Sequence, residues 1–130
     1  MKDLMDYIYL RLSDFAPVYF EEKARDELGN MDIDETNIIY NLEGFYQVSE
    51  TRAIIDIPMK VDLWYLAKDF YPAEEIAGRI DDLLDNHIFK LSDKATIKIS
   101  RDPNFLINVP DEDTKIRRKR FSYTIRYYGF

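Results

Sequence analysis

Between positions 55 and 65 the chain alternates without a break. Ile55, Ile57, Met59, Val61, Leu63 and Tyr65 are separated by Asp56, Pro58, Lys60, Asp62 and Trp64. In an extended chain a period of two puts the apolar set on one face, whereas a helix would scatter it around the circumference. The pattern predicts a long strand over 51–66 with one buried face, around which the other elements are organised. Pro58 lies on the polar register and donates no hydrogen bond, so a bulge at that point or an outer-edge position is expected.

The flanking patterns predict the remaining elements. Residues 1–13 read as an amphipathic helix: Leu4, Met5, Ile8 and Leu12 fall at helical spacing, Tyr7 and Tyr9 broaden the stripe, and Pro17 prevents continuation. Residues 17–22 are β-prone and open on Pro17, which suits an edge strand. A polar loop with the turn signal Gly29-Asn30 fills 23–36. Residues 37–42 form the next strand, Glu43-Gly44 a turn or bulge, and 45–48 its continuation, together making an antiparallel hairpin with 51–66. A second helix is expected over 72–86. Pro72 and Glu74-Glu75 suit its start, Ile76, Ile80, Leu83 and Leu84 its buried stripe, and Ala73 and Ala77 a close approach to the sheet. Gly78, costly in a helix interior, is read as a site of close backbone contact. Residues 94–101 alternate as a half-exposed strand, 102–114 read as a loop, and 118–128 alternate again as a last strand that should pair inside the sheet. The whole is an α+β chain with one domain over 1–130. Its mostly antiparallel, twisted sheet has about five strands, with the N-terminal helix and the second helix packed on one face.

Composition narrows the function classes. The chain has 130 residues, enough for one domain, and no cysteine, so disulfides and thiolate chemistry are excluded. Asp3, Asp6 and Arg11 interrupt what would be a signal-peptide core, and no apolar run approaches the ~20 residues that span a bilayer. A soluble intracellular product is therefore expected. The formal charge of −7 argues against non-specific nucleic-acid binding as the main task. Aromatic residues make up 15% of the chain, and they serve both core filling and contact surfaces.

Candidate chemistry is sparse. No nucleophile elbow, phosphate loop, dinucleotide fingerprint or paired-histidine metal motif is present. The acidic run Asp26, Glu27, Asp32, Asp34 and Glu35 lacks the spacing of a calcium loop and reads as solvated surface. His87 is the one histidine, so a structural zinc site is not supported; it reads as a capping or surface residue. The expectation is a non-enzymatic protein without cofactor or metal. The most specific feature is a reversal of charge, with Asp111, Glu112 and Asp113 just before Lys115, Arg117, Arg118, Lys119 and Arg120. Three readings stay open: local neutralisation, an electrostatic seam between identical subunits, or a basic face for nucleic-acid phosphates.

The order of elements resembles that of the tail terminator (tail completion) proteins of long-tailed bacteriophages and related minor proteins of the head–tail junction. The resemblance is carried by the strand with Ile55, Ile57, Val61, Asp62, Leu63 and Trp64, the helix from Ala73 to Leu84, and the basic-to-aromatic end from Arg118 to Tyr128. It implies a virion structural protein, assembled in the bacterial cytoplasm, that forms a homo-oligomeric and expectedly hexameric ring at the head-proximal end of the tail. Such a ring would end polymerisation of the tail tube protein and join the tail to the head connector or stopper protein. DNA would pass its lumen unbound, and no membrane would be involved. Under that reading the subunit seam sets Arg117, Arg118 and Arg120 against Asp111, Glu112 and Asp113 of a neighbour, with the exposed aromatics Trp64, Tyr71 and Tyr128 as further packing candidates. The alternatives are another neck, connector or minor capsid protein, or a small nucleic-acid-binding regulator using 115–120.

Overall fold

The computed structural model of the chain describes residues 2–20, 35–48, 53–109 and 115–129. They form helix α1 (Lys2–Leu12), strands β1 (Val18–Phe20), β2 (Asn37–Leu42), β3 (Tyr46–Gln47) and β4 (Ile54–Leu66), and a 3₁₀ turn (Ala67–Asp69). Helix α2 (Phe70–Leu84) and strands β5 (His87–Lys90), β6 (Thr96–Val109) and β7 (Ile116–Tyr128) follow. The architecture is α+β. All the strands belong to one sheet of order β1-β2-β4-β7-β6-β5, with β3 pairing β4 beside the end of β2. The β1–β2 pair is parallel and the others are antiparallel.

The alternating strand is the centre of this sheet. β4 pairs β7 along its whole length, from Ile54↔Tyr128 to Leu66↔Ile116, and carries β2 and β3 on its other side. The bulge or outer edge expected at Pro58 is absent, because Pro58 stays in register with Thr124. The reason lies in the neighbouring strand. β2 ends opposite Met59 and β3 begins opposite Asp56, and the Pro58 carbonyl accepts from the Glu43 N–H at 2.8 Å. The nitrogen of Pro58 lies on that same side of the strand, so its missing donor faces the break between two strands.

Period two sorts the sheet into two faces. Ile55, Ile57, Met59, Val61, Leu63 and Tyr65 of β4 join Phe121, Tyr123, Ile125 and Tyr127 of β7 and Ile97 and Ile99 of β6 in one core. Both helices cover that face. α2 contributes Ala73, Ala77, Ile80 and Leu84, and α1 contributes Leu4, Ile8 and Leu12. α1 also shows how far the sheet curls. Its Met5 carbonyl accepts from the Tyr40 hydroxyl of β2 at 3.1 Å, while its Tyr7 ring stacks on Phe89 of β5 with centroids 4.0 Å apart. The strands at the two ends of the sheet thus converge on one helix.

Several expectations need correction. The second helix runs from Phe70, so Pro72 sits third in the first turn, where its absent N–H is still no loss. Gly78 marks no close approach: it is exposed, and a Cβ there would meet nothing within 4 Å. The sheet exceeds the expected strands because Gly44, at φ 147°, divides β2 from β3, and because His87–Lys90 adds a short edge. Residues 102–109 are strand rather than loop. β6 continues to Val109 past an irregularity between Arg101 and Leu106, where Asn104 takes φ 57°.

Candidate interaction surface

The sheet face opposite the helices carries a cross-strand ladder of charge and stacking between β4 and β7. Asp62 accepts two hydrogen bonds from Arg120, at 2.8 and 3.1 Å, and Asp56 accepts two from Arg126, at 2.9 and 3.0 Å. Both are planar forks closed by directly opposed residues, the favourable geometry for this pair of groups. The carboxylates hold the Arg120 and Arg126 guanidinium groups above their ordinary pKa through those bonds. Between the two forks Lys60 donates to the Ser122 hydroxyl at 3.0 Å. At the end of the ladder the Arg118 guanidinium lies 4.7 Å from the centroid of the Trp64 ring, with a second contact to Asp62 at 3.7 Å.

These contacts decide where the sequence-derived candidates stand. Asp111, Glu112 and Asp113 lie outside the described residues. Arg118 and Arg120, expected to face a neighbouring subunit, are already engaged with Trp64 and Asp62 of their own chain. Trp64, expected as an exposed aromatic, is buried at 7%. It stands on the polar register of β4, yet Asn37 of β2 and Arg118 of β7 flank it in the same row. Tyr71 is 84% exposed at the start of α2, and Tyr128 lies at the rim of a polar cleft of about 220 Å³ beside Lys98 and Arg126. Arg117 is exposed at the beginning of β7, one position from Arg118 and hence on the opposite face of the sheet.

Arg117 belongs to a second and more apolar feature. A groove of about 480 Å³ runs between the start of α2 and the arm formed by the far halves of β6 and β7. Phe70, Tyr65, Val109, Asn108 and Arg117 line it. Lys119 sits at its floor, bonded to Glu74 at 2.5 Å and to Asn108 at 3.1 Å, so its charge is answered within the chain. Beside the groove stand Phe70 at 47% and Leu106 at 39% exposure, while Ile107, at 46%, projects from the same arm on the opposite face of the sheet, beside Arg120. β5 pairs β6 only from Thr96 to Ile99, so among the described residues no strand pairs the outer edge of β6 beyond Ser100. Leu106 and Ile107 escape sequence reasoning because Asp102-Pro103 carries the signal of a loop start. The alternation of Phe105, Ile107 and Val109 was the signal available.

Two partly buried contacts tie the helices to the sheet and have altered proton affinities. The Asp81 carboxylate of α2 accepts from the Tyr123 hydroxyl at 2.8 Å and pairs with Arg101, which also approaches Asp85 at 3.4 Å. Burial alone would raise the Asp81 pKa, but the bonds from Arg101 and Tyr123 outweigh it and hold the carboxyl below its ordinary value. His87, expected as a helix cap or surface group, is the first residue of β5 and half-buried. It hydrogen-bonds the Tyr7 hydroxyl. Burial, then the nearby Arg11, pushes its pKa below 6.5. Among the described residues no cluster of histidine, aspartate and glutamate is placed to hold a metal ion. Among those residues no helix is long and apolar enough to cross a membrane. No protein-family model matches the chain, and no curated protein is similar to it in sequence.

Proposed function

We propose that this chain is a non-catalytic structural subunit that assembles with copies of itself. In its most specific form it is the tail terminator ring of a long-tailed phage, expectedly hexameric. The observation that carries the reading is the groove and the arm beside it. Exposed apolar side chains and an uncharged strand edge come together there, as at a surface meant for protein contact. In that role the ring adds to the last layer of tail tube protein and offers its other face to the head connector, while DNA passes through the lumen unbound. Its place is the neck of the virion tail, reached by assembly in the bacterial cytoplasm. The nucleic-acid reading of 115–120 is weakened because Arg118 and Arg120 are spent on Asp62 within the chain.

The engaged arginines change which variant tests the seam. Replacing Arg118 and Arg120 by Glu would set new carboxylates against Asp62 and damage the fold, whereas Arg117 is exposed. Arg117→Glu is expected to reduce ring formation or tube capping at least tenfold while circular dichroism stays unchanged. The primary experiment is mass by light scattering, alone and with purified tail tubes, followed by negative-stain imaging. Rings formed with the tubes, or caps on tube ends, are the expected result. A monomer indifferent to tubes, with steeply salt-dependent DNA binding, would overturn the reading in favour of a nucleic-acid module.

A further inference from the structure

We infer that free copies of this chain pair two by two through the outer edge of residues 105–109, antiparallel, about a two-fold axis centred on Ile107. The inference deepens the self-assembling reading above and rests on it for the identity of the occupant, a second copy of the same chain.

A bare strand edge presents unpaired N–H and C=O groups that an added strand satisfies, and soluble proteins blunt such edges with short strands, charge or cover. The other outer edges of this sheet are short. β1 spans three residues, β3 two and β5 four; β5 carries His87 and Lys90, and β1 and β5 converge on α1. Among the described residues the far half of β6 has no such protection. Phe105, Leu106, Ile107, Asn108 and Val109 hold no charge, and Leu106 and Ile107 are exposed.

The same segment selects its partner and its register. It is bounded on one side by Asn104, whose φ of 57° breaks the pleat, and on the other by Val109, the last residue of the strand. An extended partner gains the most hydrogen bonds by overlapping all of 105–109. Among the described residues of a second copy, the uncharged edge long enough for that is the same segment, since the uncharged stretch at 45–48 is strand only over Tyr46 and Gln47. Full antiparallel overlap sets Phe105 against Val109, Leu106 against Asn108 and Ile107 against itself. An axis through Ile107 and normal to the sheet keeps the helix-bearing faces on one side. Leu106 of the second copy then lies beside Asn108, at the mouth of the groove lined by Phe70. Because no charge lies in the segment, like charges do not meet across the axis. The pairing covers the apolar arm in the free protein, so ring assembly begins by opening the pair.

The natural absence of cysteine makes the test direct. Directly opposed residues in an antiparallel pair have Cα atoms about 4.5–5.5 Å apart, within the reach of a disulfide. Ile107→Cys should oxidise to a covalent dimer on a non-reducing gel. Leu106→Cys and Asn108→Cys should each stay largely uncrosslinked alone and cross-link when mixed. Ile107→Lys, at a position outside the core, should weaken dimerisation at least tenfold by analytical ultracentrifugation with an unchanged circular-dichroism spectrum. A free protein that is monomeric at high concentration, or a dimer in which Ile107→Cys fails to cross-link, would overturn the pairing. Tube capping by that same protein would leave the structural-subunit reading standing. Loss of both capping and self-association would remove the two together.

Discussion

At the scale of single residues, environments that the sequence cannot distinguish give opposite outcomes for like substitutions. Gly78 lies on the open side of α2, so Gly78→Ala should stabilise the protein by about 0.5–1 kcal/mol, read as a higher urea midpoint at unchanged slope. Gly129 has φ 91° and donates to the Ala53 carbonyl, and a Cβ there would run into the Lys94 carbonyl oxygen. Gly129→Ala should therefore cost roughly 2 kcal/mol or more in the same assay. Asp62 answers two guanidinium groups, and its side chain is only 8% exposed. Asp62→Ala strands both cations, and a loss of about 2–3 kcal/mol is expected, below the full buried-pair figure because Arg120 is partly solvated. His87 supplies a pH signature. Its folded pKa lies below 6.5, so the unfolded chain binds the proton first. The stability it contributes is complete above 6.5 and is lost as pH falls through its lower folded value. The groups facing it are Tyr7, Phe89 and Arg11. Thermal melts from pH 7.5 to 5 should show this decline, and His87→Phe, which keeps the stack, should flatten it. Asp81 acts in the same direction but only below its ordinary value of 3.8, so the two titrations separate on the pH axis.

At the scale of elements, legibility followed the regularity of the local pattern. The alternation of 55–65 placed β4 and its buried face correctly because one face meets two helices and the other a charged ladder. Likewise the spacing of Leu4, Ile8 and Leu12 located α1, and Ile80 and Leu84 located α2. Failures came where a long-range partner overrode a local signal. Pro58 looked unsuited to a central strand because the sequence does not show that β2 stops opposite Met59. Asp102-Pro103 looked like a loop because Tyr123, Phe121 and their neighbours, which hold β6 in the sheet on either side of the irregularity, come later in the chain. The candidate surface suffered most. The polar register of Trp64 predicts exposure, whereas Asn37 and Arg118 enclose it from both adjacent strands. The basic run 115–120 was legible as a cluster of charge, but alternation divides it. Arg118 and Arg120 go to the ladder, and Arg117 and Lys119 go to the groove.

At the scale of the whole molecule, two long strands and the arm they share set the shape, and the arm is where association is expected to occur. α1 has a different role. It is made first among the described elements, yet its Tyr7 is seated by His87, eighty positions later in the chain. An isolated helix of 11 residues is marginal in water, so α1 gains its stability from docking rather than from its own hydrogen bonds. At roughly 5–20 residues per second, those 80 residues correspond to about 4–16 s of synthesis. Through that interval Leu4, Ile8 and Leu12 lack the far end of the sheet that encloses them. The order of translation and the order of seating are thus reversed: a helix made before the sheet is the keystone, set only after the strands on both sides of it are in place.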